Sequence, residues 1–91
     1  MLDYSIETFS IKGSDRVIKF LYVNPEKRFD MIQLSVRLNE ETKIIKKVLE
    51  KLDSVDLLTK EKGDNGIVYY TLNRDSKLFP ILENIILADN Q

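Results

Sequence analysis

Apolar residues recur along this chain with two different periods, and the change of period divides it. Val17, Phe20 and Leu21 share one face of a helix that begins at Asp15 with Ser14 as its N-cap. It ends near Asn24-Pro25, because a residue before proline avoids the helical region. Arg28-Phe29 reads as a brief extended segment. Asp30 followed by Gln33 has the form of a capping box, opening a second helix whose inner face is Met31, Leu34, Ser35 and Leu38. The small Ser35 lets another helix come close. Asn39 marks a tight turn. A third helix is expected from about Glu41 to Val55, with Ile45, Val48, Leu49 and Leu52 at the i, i+3, i+4, i+7 spacing of a buried stripe.

Beyond Val55 the pattern becomes that of strands. Leu57-Leu58-Thr59-Lys60 and Ile67-Val68-Tyr69-Tyr70-Thr71-Leu72 flank Gly63-Asp64-Asn65-Gly66, which predicts a β-hairpin. A last helix from about Lys77 to Ala88 carries Leu78, Ile81, Leu82, Ile85 and Ile86 on one side, with Pro80 tolerated in its first turn. Met1 to Lys12 holds Tyr4, Ile6, Phe9 and Ile11 among polar residues and fits a strand or a short helix, broken off at Gly13. The order helix, short strand, helix, turn, helix, hairpin, helix predicts a winged helix-turn-helix, mainly α with a β-hairpin wing (α+β). Residues 1–13 are expected to pack on the domain or on a dimer partner. Residues 14–91 form the winged domain, ending in a dimerisation helix.

Composition narrows the chemistry. Ninety-one residues make one domain with one modest core. An apolar fraction of 43% and a charged fraction of 32% are those of a globular chain. Without cysteine or histidine there are no disulfides, no thiolate metal sensing and no zinc site built from sulfur or imidazole. The usual general bases and nucleophiles are missing too, the carboxylates are scattered, and three glycines make no phosphate-cradling loop. The expectation is a non-enzyme without a cofactor. The start has no signal-peptide pattern, and the longest apolar stretch, Ile85-Ile86-Leu87-Ala88, cannot span a bilayer, so a cytoplasmic protein is expected. The net charge of −1 is low for a nucleic-acid binder, whose affinity comes largely from neutralising phosphates.

Several pieces together resemble the compact winged-helix domains of ArsR-like transcription regulators, of the kind found alone or ahead of a nucleotidyltransferase domain. They are Arg16-Val17-Ile18-Lys19-Phe20-Leu21, Asn24-Pro25-Glu26, Phe29, Val48-Leu49 with Leu52, Leu57-Leu58, Tyr69-Tyr70, Asn73, Ser76, and Leu78-Phe79-Pro80 through Leu82. The resemblance covers about four-fifths of the chain. It implies a homodimer on double-stranded DNA, with the third helix in the major groove and the hairpin on an adjacent groove. The chain departs from that family at Glu40-Glu41, where an apolar residue and a serine are usual. It departs again at Ile67-Val68, where basic residues are usual.

The residues suggest where contacts would fall. Lys43 and Lys47 lie opposite the buried stripe of the third helix, flanked by Lys46 and Glu50, while Thr42 stands at its N-terminus, where recognition helices meet base edges. Lys60 and Lys62 share one face of a strand, and Arg74 follows the hairpin; all three are candidate phosphate contacts. Glu40 and Glu41 suit a helix N-terminus through its dipole but oppose phosphates. Tyr69 and Tyr70 must point to opposite sides, so at most one faces the core. Leu78, Ile81, Leu82, Ile85 and Ile86 make the last helix more apolar than a small core needs, and they are the expected dimer interface. The competing reading is that the N-terminal segment covers this helix within one chain. The alternative function is a winged-helix module that binds a protein partner and has lost DNA binding.

Overall fold

The computed structural model describes residues 13–89. Expectations for Met1 to Lys12 lie outside them. The elements run α1 (Ser14–Val23), α2 (Met31–Leu38), α3 (Thr42–Ser54), β1 (Leu58–Lys62), β2 (Val68–Leu72) and α4 (Phe79–Asp89). The chain therefore has the winged helix-turn-helix architecture, four helices and one antiparallel hairpin among the described residues.

Local chemistry sets most boundaries. At α1 the cap is Gly13, not Ser14: Gly13 has φ 81, its carbonyl accepts from the Val17 N–H, and no side chain caps the helix. Ser14 is instead the first helical residue, fully buried, and its hydroxyl has no hydrogen-bond partner among the described residues. Asn24 closes α1, its side-chain amide donating to the Phe20 carbonyl at 2.8 Å. The capping box at α2 is complete, with the Gln33 N–H donating to Asp30 at 2.7 Å and the Asp30 N–H to the Gln33 side chain at 3.0 Å. Asn39 ends α2 in the left-handed region, which asparagine tolerates better than most residues. Helix α3 starts at Thr42 rather than Glu41, and α4 at Phe79 rather than Lys77, which places Pro80 in the first turn, where its missing N–H costs no helical bond.

The end of α3 uses an unusual residue for a common motif. Asp56 takes φ 63, the Leu57 N–H donates to the Leu52 carbonyl at 2.9 Å, and the Asp56 N–H donates to the Asp53 carbonyl at 3.2 Å. That is a Schellman motif with aspartate where glycine is usual, and Leu52 and Leu57 make its buried contact. The Asn73 amide donates to the Asp56 carbonyl at 3.0 Å and ties this corner to the end of the hairpin.

The core is one cluster. Ile45, Val48, Leu49 and Leu52 of α3 meet Val17, Ile18 and Leu21 of α1, Leu34 and Leu38 of α2, and Leu57, Leu58 and Leu72 of the hairpin region. Burying a side chain of this size fully stabilises the fold by about 1.5–3 kcal/mol, so α3 is held by its inner stripe and free on its outer one. Phe79, Leu82 and Ile86 dock α4 onto the same cluster. A third, one-residue strand completes the wing: Phe29 bridges Tyr70, whose N–H donates to the Phe29 carbonyl at 2.8 Å.

Candidate nucleic-acid interface

Helix α3 presents two faces of opposite chemistry. Its inner stripe is buried, while Thr42, Lys43, Lys46, Lys47 and Glu50 are exposed. Lys43, Lys46 and Lys47 make no ion pair among the described residues, so three ammonium groups stand open on the first half of the helix.

The two glutamates before α3 do not act alike. Glu40 turns inward. Its carboxylate lies 3.5 Å from the Arg16 guanidinium, only 16% of its side chain is exposed, and Arg16 also donates to the Leu38 carbonyl. The Ser35 hydroxyl donates to the Glu40 carbonyl at 2.6 Å, and the Glu40 N–H returns a bond to the Ser35 carbonyl at 3.0 Å. Ser35 thus binds the turn rather than merely making room for a neighbour. Gly13 belongs to the same cluster: a Cβ there would sit 2.8 Å from a Glu40 carboxylate oxygen. Glu40 therefore fills the place of an apolar plug, with Arg16 supplying its counter-charge. Glu41 remains exposed, and its negative charge faces the helix N-terminus.

The hairpin is less available than its lysines suggest. Lys60 reaches back to Asp53 of α3 at 3.1 Å, and Lys62 is exposed. On the opposite face Glu61 pairs with Arg28 at 2.6 Å, and that guanidinium covers the Tyr69 ring at 5.0 Å from its centre. The Arg28–Glu61 bond pushes the arginine's pKa up. Tyr70 points the other way, against the core. At the tip the Gly66 N–H donates to the Gly63 carbonyl, Gly66 has φ 82, and Asn65 accepts from the Ile67 N–H. Asn65 and Gly66 thus build the turn.

Arg74 stands apart from these groups. Its guanidinium donates to the Tyr22 carbonyl at 2.8 Å and lies over the rings of Tyr22 and Phe79, where it joins the end of α1 to the start of α4. Nothing in the sequence separated it from Lys60 and Lys62, because the Tyr22 carbonyl that accepts from it lies 52 residues away.

Helix α4 divides its apolar residues between two duties. Leu82 and Ile86 are in the chain's own core. Ile81 and Ile85 are half-buried and line a shallow groove with Asn84 and Ala88; Leu78 is half-buried against the core, and Leu87 is 47% exposed. Of the five residues expected at an interface, Ile81 and Ile85 are the two on the outer side. Among the described residues no helix is long and apolar enough to cross a membrane.

No family model matches the chain, and no curated protein matches it. Solved structures do. The chain is similar to a possible transcriptional regulator from Methanosarcina mazei Go1, with TM-score 0.64 and 18% identity over 97% of this chain and 78% of that one. It is similar to a mutant ZitR of Lactococcus lactis in its apo form, with TM-score 0.63 and 17% identity over 94% of this chain and 65% of that one. The adhesin competence repressor AdcR of Streptococcus pyogenes gives TM-score 0.62 and 20% identity over 98% and 70%. At such identities the likeness is one of fold alone; of these neighbours, one is described as a possible transcriptional regulator and one as a repressor.

Proposed function

We propose that this chain is a transcription regulator that binds duplex DNA, with α3 in the major groove. The observation that carries this reading is the set of three lysines without an ion pair among the described residues, Lys43, Lys46 and Lys47, on the exposed face of α3, beside a turn whose Glu40 is withdrawn onto Arg16. Lysines on that face meet phosphates, and Thr42 at the first turn is placed to reach a base edge. Lys62 adds a phosphate contact from the wing. Lys60 joins only by leaving Asp53, and Arg74 is occupied at the α1–α4 junction.

The protein acts as a homodimer in the cytoplasm, in this reading, with α4 as the dimerisation helix. The outer groove of α4, carrying Ile81, Ile85 and Ala88, supplies the contact, and a two-fold axis there sets two α3 helices against successive turns of the major groove. ArsR-like membership rests on the pieces from Arg16 to Leu87 that resemble that family.

Mobility shift with random duplex DNA over a salt series tests the proposal. Affinity should fall steeply with salt, and the slope of log affinity on log salt should shrink by about 2.7 when Lys43, Lys46 and Lys47 become alanine, at roughly 0.9 per phosphate contact. No shift at low salt contradicts it and favours the protein-binding module.

A further inference from the structure

Strand β2 has two edges, and the one facing β1 is covered along its whole length. β1 pairs with β2 from Leu58↔Leu72 to Lys62↔Val68. The Gly63 N–H donates to the Ile67 carbonyl at 2.8 Å and the Asn73 N–H to the Leu57 carbonyl at 2.9 Å, so the odd-numbered residues of β2 face β1. Tyr70 faces away, its N–H donating to Phe29. Backbone groups on a strand alternate sides, so Val68, two residues before Tyr70, directs its N–H and C=O to the Phe29 edge as well. Among the described residues no segment covers that edge beside Val68, because Asp30 caps α2 and the backbone turns away into the helix. Neither Val68 group has a hydrogen-bond partner among the described residues.

The surroundings of this short edge are apolar. An open crevice of 220 Å³ lies there, lined by Asp30, Met31, Ile32, Ile67, Val68 and Tyr70. Ile32 is 70% exposed, Ile67 41%, and Val36, one turn further along α2, 73%. These are three of the five large apolar side chains exposed among the described residues, on one continuous flank. Strand edges are normally blunted by charge, proline or a covering element, and a contiguous exposed apolar patch marks an interaction site.

We infer that this flank docks an extended, apolar segment of a partner protein, which adds beside β2 at Val68 and lays alternate side chains on Ile32 and Ile67. The chemistry selects that occupant. An unpaired N–H and C=O on one strand edge are both met by another extended backbone, the β-augmentation mode of peptide recognition. A helix has spent its backbone groups internally. A phosphate can accept from the N–H but leaves the carbonyl unmet, and Asp30, which lines the crevice, repels it. A second copy is blocked: two β2 strands paired about Val68 would drive each Phe29 into the other's turn at 63–66, since Phe29 already occupies the edge at Tyr70.

A phage-displayed random heptapeptide library, selected on the full chain, tests this. Recovered peptides should alternate β-branched or aromatic residues with polar ones. As synthetic peptides they should lose at least tenfold in affinity against Ile32→Asp or Ile67→Asp, and again when the central peptide amide is N-methylated. Both substitutions fall on exposed side chains, and circular dichroism checks that the fold persists. Recovery of no peptide above an unrelated-protein control overturns the proposal, as do peptides indifferent to both substitutions or to N-methylation. Wild-type self-association abolished by Ile32→Asp assigns the flank to a second copy, and weakened binding of random duplex DNA by that variant assigns it to DNA; either overturns the proposal. Alanine at Lys43, Lys46 and Lys47 should leave peptide affinity unchanged, so failure of the DNA reading does not decide this one.

Discussion

Glu40 has one charge and two neighbours that suit it, Arg16 and the alanine-excluding Gly13. A methyl group at position 13 meets both a backbone with φ 81 and a carboxylate oxygen 2.8 Å away. Gly13→Ala should therefore destabilise the fold by about 1–2 kcal/mol, the usual cost of a side chain in the left-handed region, read from urea unfolding with an unchanged slope. Tyr22 offers a test by pH. Its hydroxyl donates to Glu83 at 2.6 Å, and that bond, then burial, then the charge of Glu83 raise its pKa above the usual 10.0, against an opposing pull from Arg74. A phenol whose folded pKa exceeds its unfolded one contributes stability that is complete below the unfolded value and lost as pH rises through the folded value. Unfolding followed above pH 10 should show a decline that Tyr22→Phe makes shallower; an identical decline in both proteins would contradict the assignment.

At the scale of elements, the complete capping box at α2 should make Asp30→Ala cost about 1 kcal/mol in the same unfolding measurement. A variant as stable as wild type would show that the cap contributes nothing. This element was legible because its signal is local: an acceptor, a glutamine three residues on, and an apolar stripe behind them. The inner face of α3 and the two strands were legible for the same reason, each being a period carried by a few adjacent residues. What escaped was long-range. Ser14 has the composition of an N-cap, but the docking of α1 buries it and passes the cap to Gly13. Asp56 does not look like a helix stop, and its left-handed backbone is supported by Asn73, far along the chain. In the candidate site, the open lysines of α3 followed from helical geometry. Glu40's withdrawal, Lys60's pairing and Arg74's place on two rings depend on residues that only the fold brings near.

For the whole molecule, the division of α4 predicts which substitutions separate assembly from folding. Ile85→Asp should dissociate a dimer in sedimentation while leaving the helical signal intact, because Ile85 lies in the outer groove. Leu82→Ala should instead lower stability by about 2–5 kcal/mol, since Leu82 is fully buried. Wild-type protein that sediments as a monomer at micromolar concentration would rule the dimer out. The near-neutral net charge makes the placement of lysines, rather than their number, the point at issue. The most direct measurement compares two variants with the same change of charge, by anisotropy of a random duplex across a salt series. Lys43→Ala with Lys47→Ala removes two open charges from α3, while Lys27→Ala with Lys77→Ala removes two exposed charges elsewhere. Recognition through α3 predicts that the first pair weakens binding and lowers the salt slope by about 1.8, at roughly 0.9 per phosphate, while the second pair stays near wild type. Equal losses in both, or none in the first, would contradict it.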